Sequence, residues 1–259
     1  MIEARGMIGD RQGASGEGPQ AGAGGDPPDE RRPGARLIAI EGIDGSGKGT
    51  QARRLVDRLQ QSGLKAQLIS FPRYEETFFG RAVGSFLNGL FGALDEVDPF
   101  LVSLLFAGDR FESRPLLTAA LESCDVVVLD RYVASNIAHQ AAKFVGAERD
   151  ALGRSIEHLE YNLYGMPRPD RVLLFDLSVT LAQELVAQKP ARNYTEREAD
   201  IQEADAVYLA DVRELYLELA ARESNWSVIH CEGTNGLRSI EEIAEEVWQL
   251  VGVSRRQAR

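Results

Sequence analysis

The sequence predicts an α/β protein with a mostly parallel, five-stranded sheet flanked by helices. Five short strand-like runs, most of them continuously apolar, occur near residues 37–40, 66–70, 126–129, 172–175 and 227–230. Such runs are typical of strands that are buried on both faces. Helical patterns lie between them, and this alternation builds parallel sheets. The chain has 259 residues, of which 44% are hydrophobic, and this suffices for one domain of this class.

The first 34 residues differ in composition from the rest of the chain. They contain nine glycines and four prolines but no aromatic residue. Such a segment cannot bury enough apolar surface to offset the entropy lost on ordering. It also lacks the apolar stretch of a signal peptide. We therefore expect a disordered Gly/Pro-rich extension over residues 1–34 and one folded domain over residues 35–259.

The first half of the domain opens with the strand at 37–40. Apolar residues from Ala52 to Leu59 recur at helical spacing and predict a helix with one buried stripe. The second strand covers 66–70. A helical pattern then extends over 99–122, and Pro115 interrupts it because proline cannot continue a helix from its interior.

The second half supplies the other three strands, at 126–129, 172–175 and 227–230. Ser239 and Glu242 have the spacing of a capping box, in which each side chain bonds the other's backbone N–H. This pair predicts the start of a last helix, whose apolar face runs from Ile240 to Val251.

Composition excludes several classes of protein. The 40 acidic and 29 basic residues give a net charge of −11, which argues against a chain that coats nucleic acid. Only two cysteines occur, Cys124 and Cys231, so a disulfide framework is excluded and a cytoplasmic location is expected. No apolar run of membrane-spanning length is present, and we expect no membrane association.

The turn after the first strand matches a phosphate-binding loop. Residues 41–50 read Glu-Gly-Ile-Asp-Gly-Ser-Gly-Lys-Gly-Thr and contain the Gly-x4-Gly-Lys core of this motif. Glycines let the backbone wrap around a phosphate, while N–H groups and the start of the next helix point at the anion. Lys48 would add a positive charge for the transferred phosphoryl group. The residues expected to bind the nucleotide are Gly42, Ile43, Asp44, Gly45, Ser46, Gly47, Lys48, Gly49 and Thr50.

Gly49 departs from this motif, which usually has Ser or Thr after the lysine as a magnesium ligand. The Lys-Gly-Thr-Gln run resembles adenylate kinases, so we expect Mg²⁺ to be held mainly by nucleotide phosphates and water. A direct Thr50 ligand stays open. The strand that ends at Asp130 places a carboxylate beside the loop, an arrangement suited to organising magnesium or its waters. The alternative is an acidic residue of the kind common at strand ends.

Three further clusters concern the group that receives the phosphate. Phe71-Pro72-Arg73-Tyr74 follows the second strand, and Asp130-Arg131-Tyr132 with Ser135-Asn136 follows the third. Both positions are carboxyl ends of strands, where open α/β sheets bind ligands. Phe106 and Arg110 lie four residues apart on a helix, so both face the same side.

Together with the loop, these clusters resemble the thymidylate kinase family, and especially its actinobacterial members. The resemblance extends from about Leu37 to Leu250. It implies a three-layer P-loop kinase fold and the reaction ATP + dTMP → ADP + dTDP, with magnesium, in dTTP biosynthesis. It also implies a homodimer. The partners are then small nucleotides, dTMP and ATP, and no nucleic acid.

The resemblance assigns roles at the thymidine end. Phe106 would stack on thymine, and Arg110 would donate to the O4 edge of the base. Ser135 and Asn136 would add polar contacts near the base. Asp44 would lie near the acceptor sugar and phosphate. Asp44 and Asp130 are the expected magnesium residues, directly or through water.

Phosphate binding at the acceptor is assigned to Arg73, Tyr74 and Arg131, because guanidinium groups match phosphate oxygens. Phe71 would form a wall of the pocket. His139 stands where many relatives have a tyrosine that helps exclude a ribose 2′-hydroxyl. The preference for deoxyribose is therefore left open, and an ordinary pocket-wall histidine is the alternative.

A polar segment at about 187–205 matches the lid of nucleoside monophosphate kinases. A lid arginine closes on the transferring phosphoryl group in such enzymes. Because the loop has Gly45 where some relatives have arginine, the lid must supply this cation from among Lys189, Arg192 and Arg197. We favour Arg192 or Arg197, and expect Tyr194 to close over the acceptor nucleotide. The expected catalytic residues are Lys48, Asp44, Arg131, Arg192 and Arg197.

Alternatives remain at two levels. The chain could be a kinase for another monophosphate, such as dUMP or AMP, or a nucleotide-binding protein without turnover. Among single residues, Phe71 and Phe106 could serve only the core, Arg110 and Arg131 could form surface ion pairs, and Asn136 could cap a helix. The lid cations could belong to an ordinary solvated loop.

Overall fold

The computed structural model describes residues 31–188, 202, 205–234 and 236–252. Its main sheet has five parallel strands in the order β2-β3-β1-β4-β5. The strands are β1 (Arg36–Glu41), β2 (Ala66–Ser70), β3 (Val126–Asp130), β4 (Arg171–Asp176) and β5 (Trp226–His230). The predicted fold class is confirmed, and all five strands lie where the apolar runs placed them.

Nine α-helices connect and cover these strands in the described part of the chain. They are α1 (Lys48–Gln61), α2 (Phe78–Leu87), α3 (Pro99–Glu112), α4 (Arg114–Ser123), α5 (Val133–Ala141), α6 (Gly146–Glu157), α7 (Val179–Ala187), α8 (Ala206–Arg222) and α9 (Ile240–Val251). A π-helical segment, His158–Leu163, continues α6. A short antiparallel pair, β6 (Glu232–Gly233) and β7 (Gly236–Leu237), precedes α9.

Two helix boundaries confirm their sequence signals. The predicted helix over 99–122 is divided at Ser113, and Pro115 lies in the first turn of α4, where its missing N–H breaks no helical hydrogen bond. The Ser239 side chain accepts from the Glu242 N–H, and the Glu242 carboxylate accepts from the Ser239 N–H, so the capping box is formed. None of the described helices combines the length and apolar character needed to cross a bilayer.

The apolar core lies on both faces of the sheet and creates three layers. In β1, Ile38 and Ile40 pack into the cluster under α1, α8 and α9, whereas Leu37 and Ala39 pack into the cluster on the other face. Side chains of β3 alternate between the two clusters in the same way. Because both faces are covered, these strands read as continuous apolar runs in the sequence.

Strand order brings two important loops together. β1 pairs with β3 in parallel, and Ile40 lies beside Asp130 in this register. The phosphate-binding loop after β1 and the Arg131 turn after β3 therefore leave the sheet at the same edge. Ligand sites of open α/β sheets form at such edges.

The domain begins a few residues earlier than its composition predicted. Arg31 forms an ion pair with Asp170 at 2.6 Å, and Arg32 pairs with Asp125. The Arg32 backbone N–H also donates to the Leu121 carbonyl at 3.3 Å. Residues 31–34, which were assigned to the extension, thus lie against the domain, and residues 1–30 lie outside the described residues.

Two nested truncations test this boundary. We expect deletion of residues 1–30 to leave the free energy of unfolding and kcat/KM nearly unchanged. Deletion of residues 1–34 should lower the stability by about 1 kcal/mol, because it removes two partly exposed ion pairs. Urea unfolding measures both. A large loss of stability in the shorter deletion would show that part of 1–30 packs on the domain.

Candidate functional site

The phosphate-binding loop occupies residues 42–47, between β1 and α1. Gly47 is the N-cap of α1 with a left-handed backbone, φ 87°, so no side chain caps this helix start. Lys48 is buried, and its Nζ donates to the Ile43 carbonyl at 2.7 Å. The lysine therefore lies folded over its own loop, and the helix start faces the space where an anion would bind.

Two glycines of the loop region allow a close approach by other parts of the chain. A Cβ at Gly45 would lie 2.1 Å from the Ala182 carbonyl oxygen of α7. The loop therefore has no room for a side chain there. A Cβ at Gly49 would lie 2.9 Å from an Asp130 carboxylate oxygen. The glycine after Lys48 lets this carboxylate approach the first turn of α1.

Alanine at Gly45 and at Gly47 provides a matched comparison, because their φ angles are 86° and 87° and a Cβ at Gly47 would meet nothing within 4 Å. We expect Gly47→Ala to cost about 1 kcal/mol from left-handed strain alone. Gly45→Ala should cost roughly 1–3 kcal/mol more, because the α7 backbone must move. Urea unfolding compares them, and equal losses would contradict the close approach to α7.

Asp44 and Arg131 form an ion pair across the site. Their closest side-chain atoms, Nη2 and Oδ1, are 2.6 Å apart. The Arg131 guanidinium also donates to the Gly42 carbonyl and to Ser135 Oγ, each at 3.3 Å. Burial lowers the pKa of Arg131, but its electrostatic interactions with Asp44, Tyr216, Asp130 and Glu41 together more than offset this, and the pKa lies well above its ordinary value. Arg131 has a φ of 69°, which is rare for a residue with a side chain and clusters at functional sites.

Glu41 is a site residue that the sequence analysis missed. It is fully buried at the end of β1 and accepts hydrogen bonds from the Tyr132 N–H at 2.8 Å, Ser135 Oγ at 2.5 Å and Tyr216 Oη at 3.1 Å. Burial raises its pKa. Glu41 thus ties the loop strand to the turn that carries Arg131. A carboxylate at the end of an apolar strand indicates a candidate site residue. Glu41 fits this pattern, but the sequence analysis used it only for Asp130.

One cavity gathers most of the predicted acceptor-site residues. It is lined by Asp44, Phe71, Pro72, Tyr74, Leu87, Phe106, Arg110, Arg131, Ser135, Asn136, His139, Gln140 and Gln202. Phe71 is also a core residue, with 4% of its surface exposed, so the core alternative and the wall assignment hold together. Phe106 is half-buried and packs beside the small cluster of Val83, Phe86 and Val102.

A buried polar cluster closes one end of the cavity. Arg110 binds Glu160 through two hydrogen bonds, Nε to Oε2 at 2.5 Å and Nη2 to Oε1 at 2.7 Å. Asn136 Nδ2 donates to the same carboxylate at 2.9 Å and to the Ser103 carbonyl at 3.0 Å. Asn136 Oδ1 is buried and has no hydrogen-bond partner among the described residues.

This cluster excludes two alternative roles, a surface ion pair for Arg110 and a helix cap for Asn136. Arg110 is 1% exposed, so its ion pair is not a surface one. Asn136 lies inside α5, whose N-cap is Tyr132, so it does not cap the helix. Glu160 was missed because it comes from the π-helical segment, 50 residues from Arg110.

Arg73 is the predicted acceptor residue that the structure places outside the cavity. Its guanidinium donates to Ser113 Oγ at 3.3 Å, and its backbone N–H donates to Asp109 at 3.0 Å. Asp109 also accepts from Thr77 Oγ1 at 2.5 Å, and burial raises its pKa. Asp109, which was not predicted as a site residue, thereby fastens the Phe71–Tyr74 turn to α3.

The magnesium and lid predictions have different outcomes. Asp130 lies beside the first turn of α1, and Asp44 lies in the loop, so two carboxylates flank the place where phosphates would bind. Mg²⁺ needs only one or two carboxylates besides phosphate and water, and this donor set fits it. No group of three or more metal-binding side chains occurs in the described ranges. Lys189, Arg192, Tyr194 and Arg197 lie outside the described residues.

Comparisons with known proteins identify the family of this chain. The thymidylate kinase family matches residues 40–246. A thymidylate kinase of Mycobacterium tuberculosis is 33% identical over 204 residues, which cover 74% of this chain and 90% of that protein. One of Danio rerio is 31% identical over 215 residues, covering 83% and 88%.

A solved thymidylate kinase structure from Candida albicans shares the fold, with a TM-score of 0.65 and 24% identity over 87% of this chain and 94% of that one. The resemblance predicted from the loop, the Phe-Pro-Arg-Tyr turn and the Asp-Arg-Tyr turn is confirmed. This chain therefore belongs to the thymidylate kinase family, whose members are nucleoside monophosphate kinases.

Proposed function

We propose that this protein phosphorylates dTMP to dTDP with ATP and Mg²⁺, by direct in-line transfer. The observation that carries this proposal is the single cavity that joins a base-sized polar cluster, Arg110–Glu160–Asn136, to the arginine beside the phosphate-binding loop. Family membership supports the same reaction.

Base recognition follows from donor and acceptor positions. Arg110 uses Nε–H and one Nη2–H for Glu160, which leaves the two Nη1–H groups and the second Nη2–H as donors for thymine O4. Asn136 donates its amide hydrogens to Glu160 and Ser103, which turns Oδ1 towards a donor such as thymine N3–H. Thymine offers this acceptor and donor pair, whereas cytosine offers an amino donor and a ring-nitrogen acceptor. Phe106 stacks on the ring.

Arg131 binds the acceptor phosphate in this proposal. Its ion pair with Asp44 and its hydrogen bond to Ser135 hold the guanidinium at the loop end of the cavity. A preorganised guanidinium binds phosphate oxygens without a large loss of side-chain entropy. Tyr74 lines the same cavity, and Arg73 must turn away from Ser113 to reach it.

Phosphoryl transfer then needs positioning and charge rather than a covalent intermediate. A dTMP phosphate oxygen attacks the γ-phosphorus of ATP, the new P–O bond forms, and the bond to the ADP oxygen breaks. Lys48 and the start of α1 stabilise the charge on the transferring group. Arg192 or Arg197 of the lid supplies the remaining cation, because Gly45 has no room for one.

Magnesium, when bound, neutralises phosphate charge and orients the donor phosphates. Asp130 is the residue placed to hold it or its waters at the first turn of α1, since the Asp44 carboxylate already binds Arg131. Thr50 is exposed in the same turn. The chain's own contribution to the metal would therefore be the Asp130 carboxylate, while phosphate oxygens and water would supply the other ligands.

We further propose a cytoplasmic homodimer. Large apolar side chains are exposed on α2 and α3: Phe78 at 65%, Leu101 at 57%, and Phe100 and Phe111 at 46% each. Exposed apolar groups of this kind mark association surfaces. Both cysteines of the chain are free thiols, which supports a reducing compartment. Sedimentation analysis of the full chain measures the assembly.

A panel of monophosphates tests the reaction. With ATP and Mg²⁺, we expect dTMP to exceed dCMP and AMP in kcat/KM by about 100-fold or more, because a buried hydrogen-bonding site rejects the mismatched base. dUMP presents the same polar edge and lacks one methyl group, so it should fall by only about tenfold. A better rate with AMP or dCMP would favour the alternative monophosphate kinase, and no turnover with any of them would favour a binding protein.

A further inference from the structure

Gly49 leaves a space beside the first turn of α1 that a side chain would otherwise fill. The phosphate-loop motif usually has Ser or Thr at this position, and its hydroxyl holds the Mg²⁺ that bridges the β- and γ-phosphates. A Cβ on Gly49 would lie 2.9 Å from Asp130 Oδ2, 3.8 Å from Arg53 Nη2 and 3.9 Å from Arg53 Nη1. A carboxylate and a guanidinium therefore border the place where the motif normally meets the donor phosphates.

Helix geometry explains how Arg53 reaches this place. Gly49 and Arg53 are four residues apart on α1, so they lie on the same face. Side chains on a helix lean towards its N-terminus, and a long one in the second turn extends back over the first. The two Nη atoms are almost equally far from the Cβ position of Gly49, so the end of the guanidinium approaches it. Its positive charge thus lies at the end of α1 that favours anions.

The Arg53 guanidinium has no partner in the part of the chain that the structure describes. Arg53 is exposed and forms no hydrogen bond or ion pair with a described residue. The next arginine of α1 differs in this respect, because Arg54 binds Glu241 of α9 at 2.7 Å. Asp130 lies across the Gly49 position without pairing with Arg53. A guanidinium fork matches phosphate oxygens, so the donor nucleotide brings the anion that Arg53 lacks.

We propose that Arg53 binds β- or γ-phosphate oxygens of the donor nucleoside triphosphate across Gly49, so that a guanidinium of α1 acts where the motif usually has a hydroxyl. This inference rests on the proposed function, since it takes the loop as the ATP site. Asp130 stays available for magnesium, and Lys48 for the transferring phosphoryl group. Because the guanidinium contacts phosphate directly, part of the affinity for ATP should not depend on the metal.

Two adjacent arginines provide a matched pair of variants. Arg53→Gln and Arg54→Gln remove the same charge from exposed positions of α1, but Arg54 points to Glu241 and away from the loop. The full chain and both variants are titrated by calorimetry with ATP, with ADP and with dTMP. Each titration contains one nucleotide only, so no phosphoryl transfer to an acceptor takes place. All titrations are carried out with Mg²⁺ and again with EDTA.

We expect Arg53→Gln to weaken ATP binding by roughly tenfold, as for one hydrogen bond to a charged group, both with Mg²⁺ and with EDTA. Arg54→Gln should change the Kd for ATP by less than about twofold, as for an exposed ion pair. Neither variant should change the Kd for dTMP. A loss that includes ADP assigns the contact to the β-phosphate, and a loss for ATP alone assigns it to the γ-phosphate.

Three results would overturn the inference. The first is an unchanged Kd for ATP in Arg53→Gln. The second is an equal loss in Arg53→Gln and Arg54→Gln, which would show a general effect of surface charge. The third is a loss confined to the samples with Mg²⁺, which would mean that Arg53 acts through the metal rather than on phosphate.

Serine at position 49 tests the route across Gly49. The serine Oγ would enter the space between Asp130 and Arg53, and the guanidinium would have to move away. In the Gly49→Ser background, Arg53→Gln should therefore change the Kd for ATP by less than about twofold, because the two positions are coupled. An equal loss in both backgrounds would contradict the proposed contact.

The same titrations separate this inference from the proposed reaction. ATP binding that depends on Arg53, without turnover of any monophosphate, would refute the reaction and leave the role of Arg53 standing. Turnover of dTMP with unchanged ATP binding in Arg53→Gln would do the reverse.

Discussion

Replacing Lys48 with alanine is expected to lower kcat for dTMP phosphorylation by about 100-fold or more, because it removes a preorganised charge from the transferring phosphoryl group. The Lys48 ammonium is buried and already held over the loop by the Ile43 carbonyl, at 2.7 Å. Little reorganisation is needed for it to stabilise charge in the transition state. Stopped assays at saturating ATP and dTMP measure this effect.

Lys65→Ala is the matched control. Lys65 is exposed just before β2, at the edge of the sheet opposite to the loop, and its substitution should leave kcat unchanged. Thermal unfolding of both variants separates a chemical effect from a folding effect. The acceptor affinity of Lys48→Ala should stay close to that of the wild type, since Arg131 and the base cluster remain. Wild-type turnover in folded Lys48→Ala protein would refute the assignment.

Arg110→Met is expected to abolish most of the preference for dTMP over dCMP, which we place at about 100-fold or more in the wild type. The variant should lower kcat/KM mainly for dTMP, because thymine O4 loses its buried hydrogen-bond donor. With cytosine, the wild-type arginine faces an amino donor and leaves both groups unpaired, so removing the arginine costs dCMP little. The ratio of kcat/KM for the two substrates measures the effect.

Arg110→Met also removes the partner of a buried carboxylate. Glu160 is fully buried and would keep only the hydrogen bond from Asn136, at 2.9 Å. Breaking a buried pair in this way costs about 3–5 kcal/mol. Arg110→Met with Glu160→Gln removes the uncompensated charge and should recover much of this stability without recovering the preference for thymine. If the double variant regained the dTMP preference, Arg110 would be acting on stability alone.

The strands were predictable because they are buried on both faces. In β1 and β3, neighbouring residues enter opposite core clusters, so every position is apolar and the run is visible without any knowledge of its partners. α8 had no comparable signal, since its seventeen residues mix charged and apolar side chains. Pro115 and the Ser239–Glu242 pair marked helix boundaries because each acts within one turn of its own helix.

The candidate site was predictable only in the residues that belong to recognisable motifs. Lys48, Arg110 and Arg131 stand in short motifs whose chemistry is local. Glu41 supports the turn that carries Arg131, Glu160 binds Arg110, and Asp109 fastens the Phe71–Tyr74 turn; of the three, only Glu41 had a local signal, as a carboxylate at the end of an apolar strand. Tyr216 reaches Glu41 across 175 positions of the chain, and such a pairing depends on how α8 packs against β1.

The sequence by itself determined the order of strands along the chain, the phosphate-binding loop and the family, because backbone conformation and burial leave short periodic patterns. Only the tertiary structure decided which partners each polar group has. It turned the Arg73 guanidinium towards Ser113, brought the Asp130 carboxylate close to Gly49, and left His139 Nε2 buried without a partner among the described residues. The physical reason is that a buried polar group is defined by its hydrogen-bond partners, and these come together only when distant elements pack.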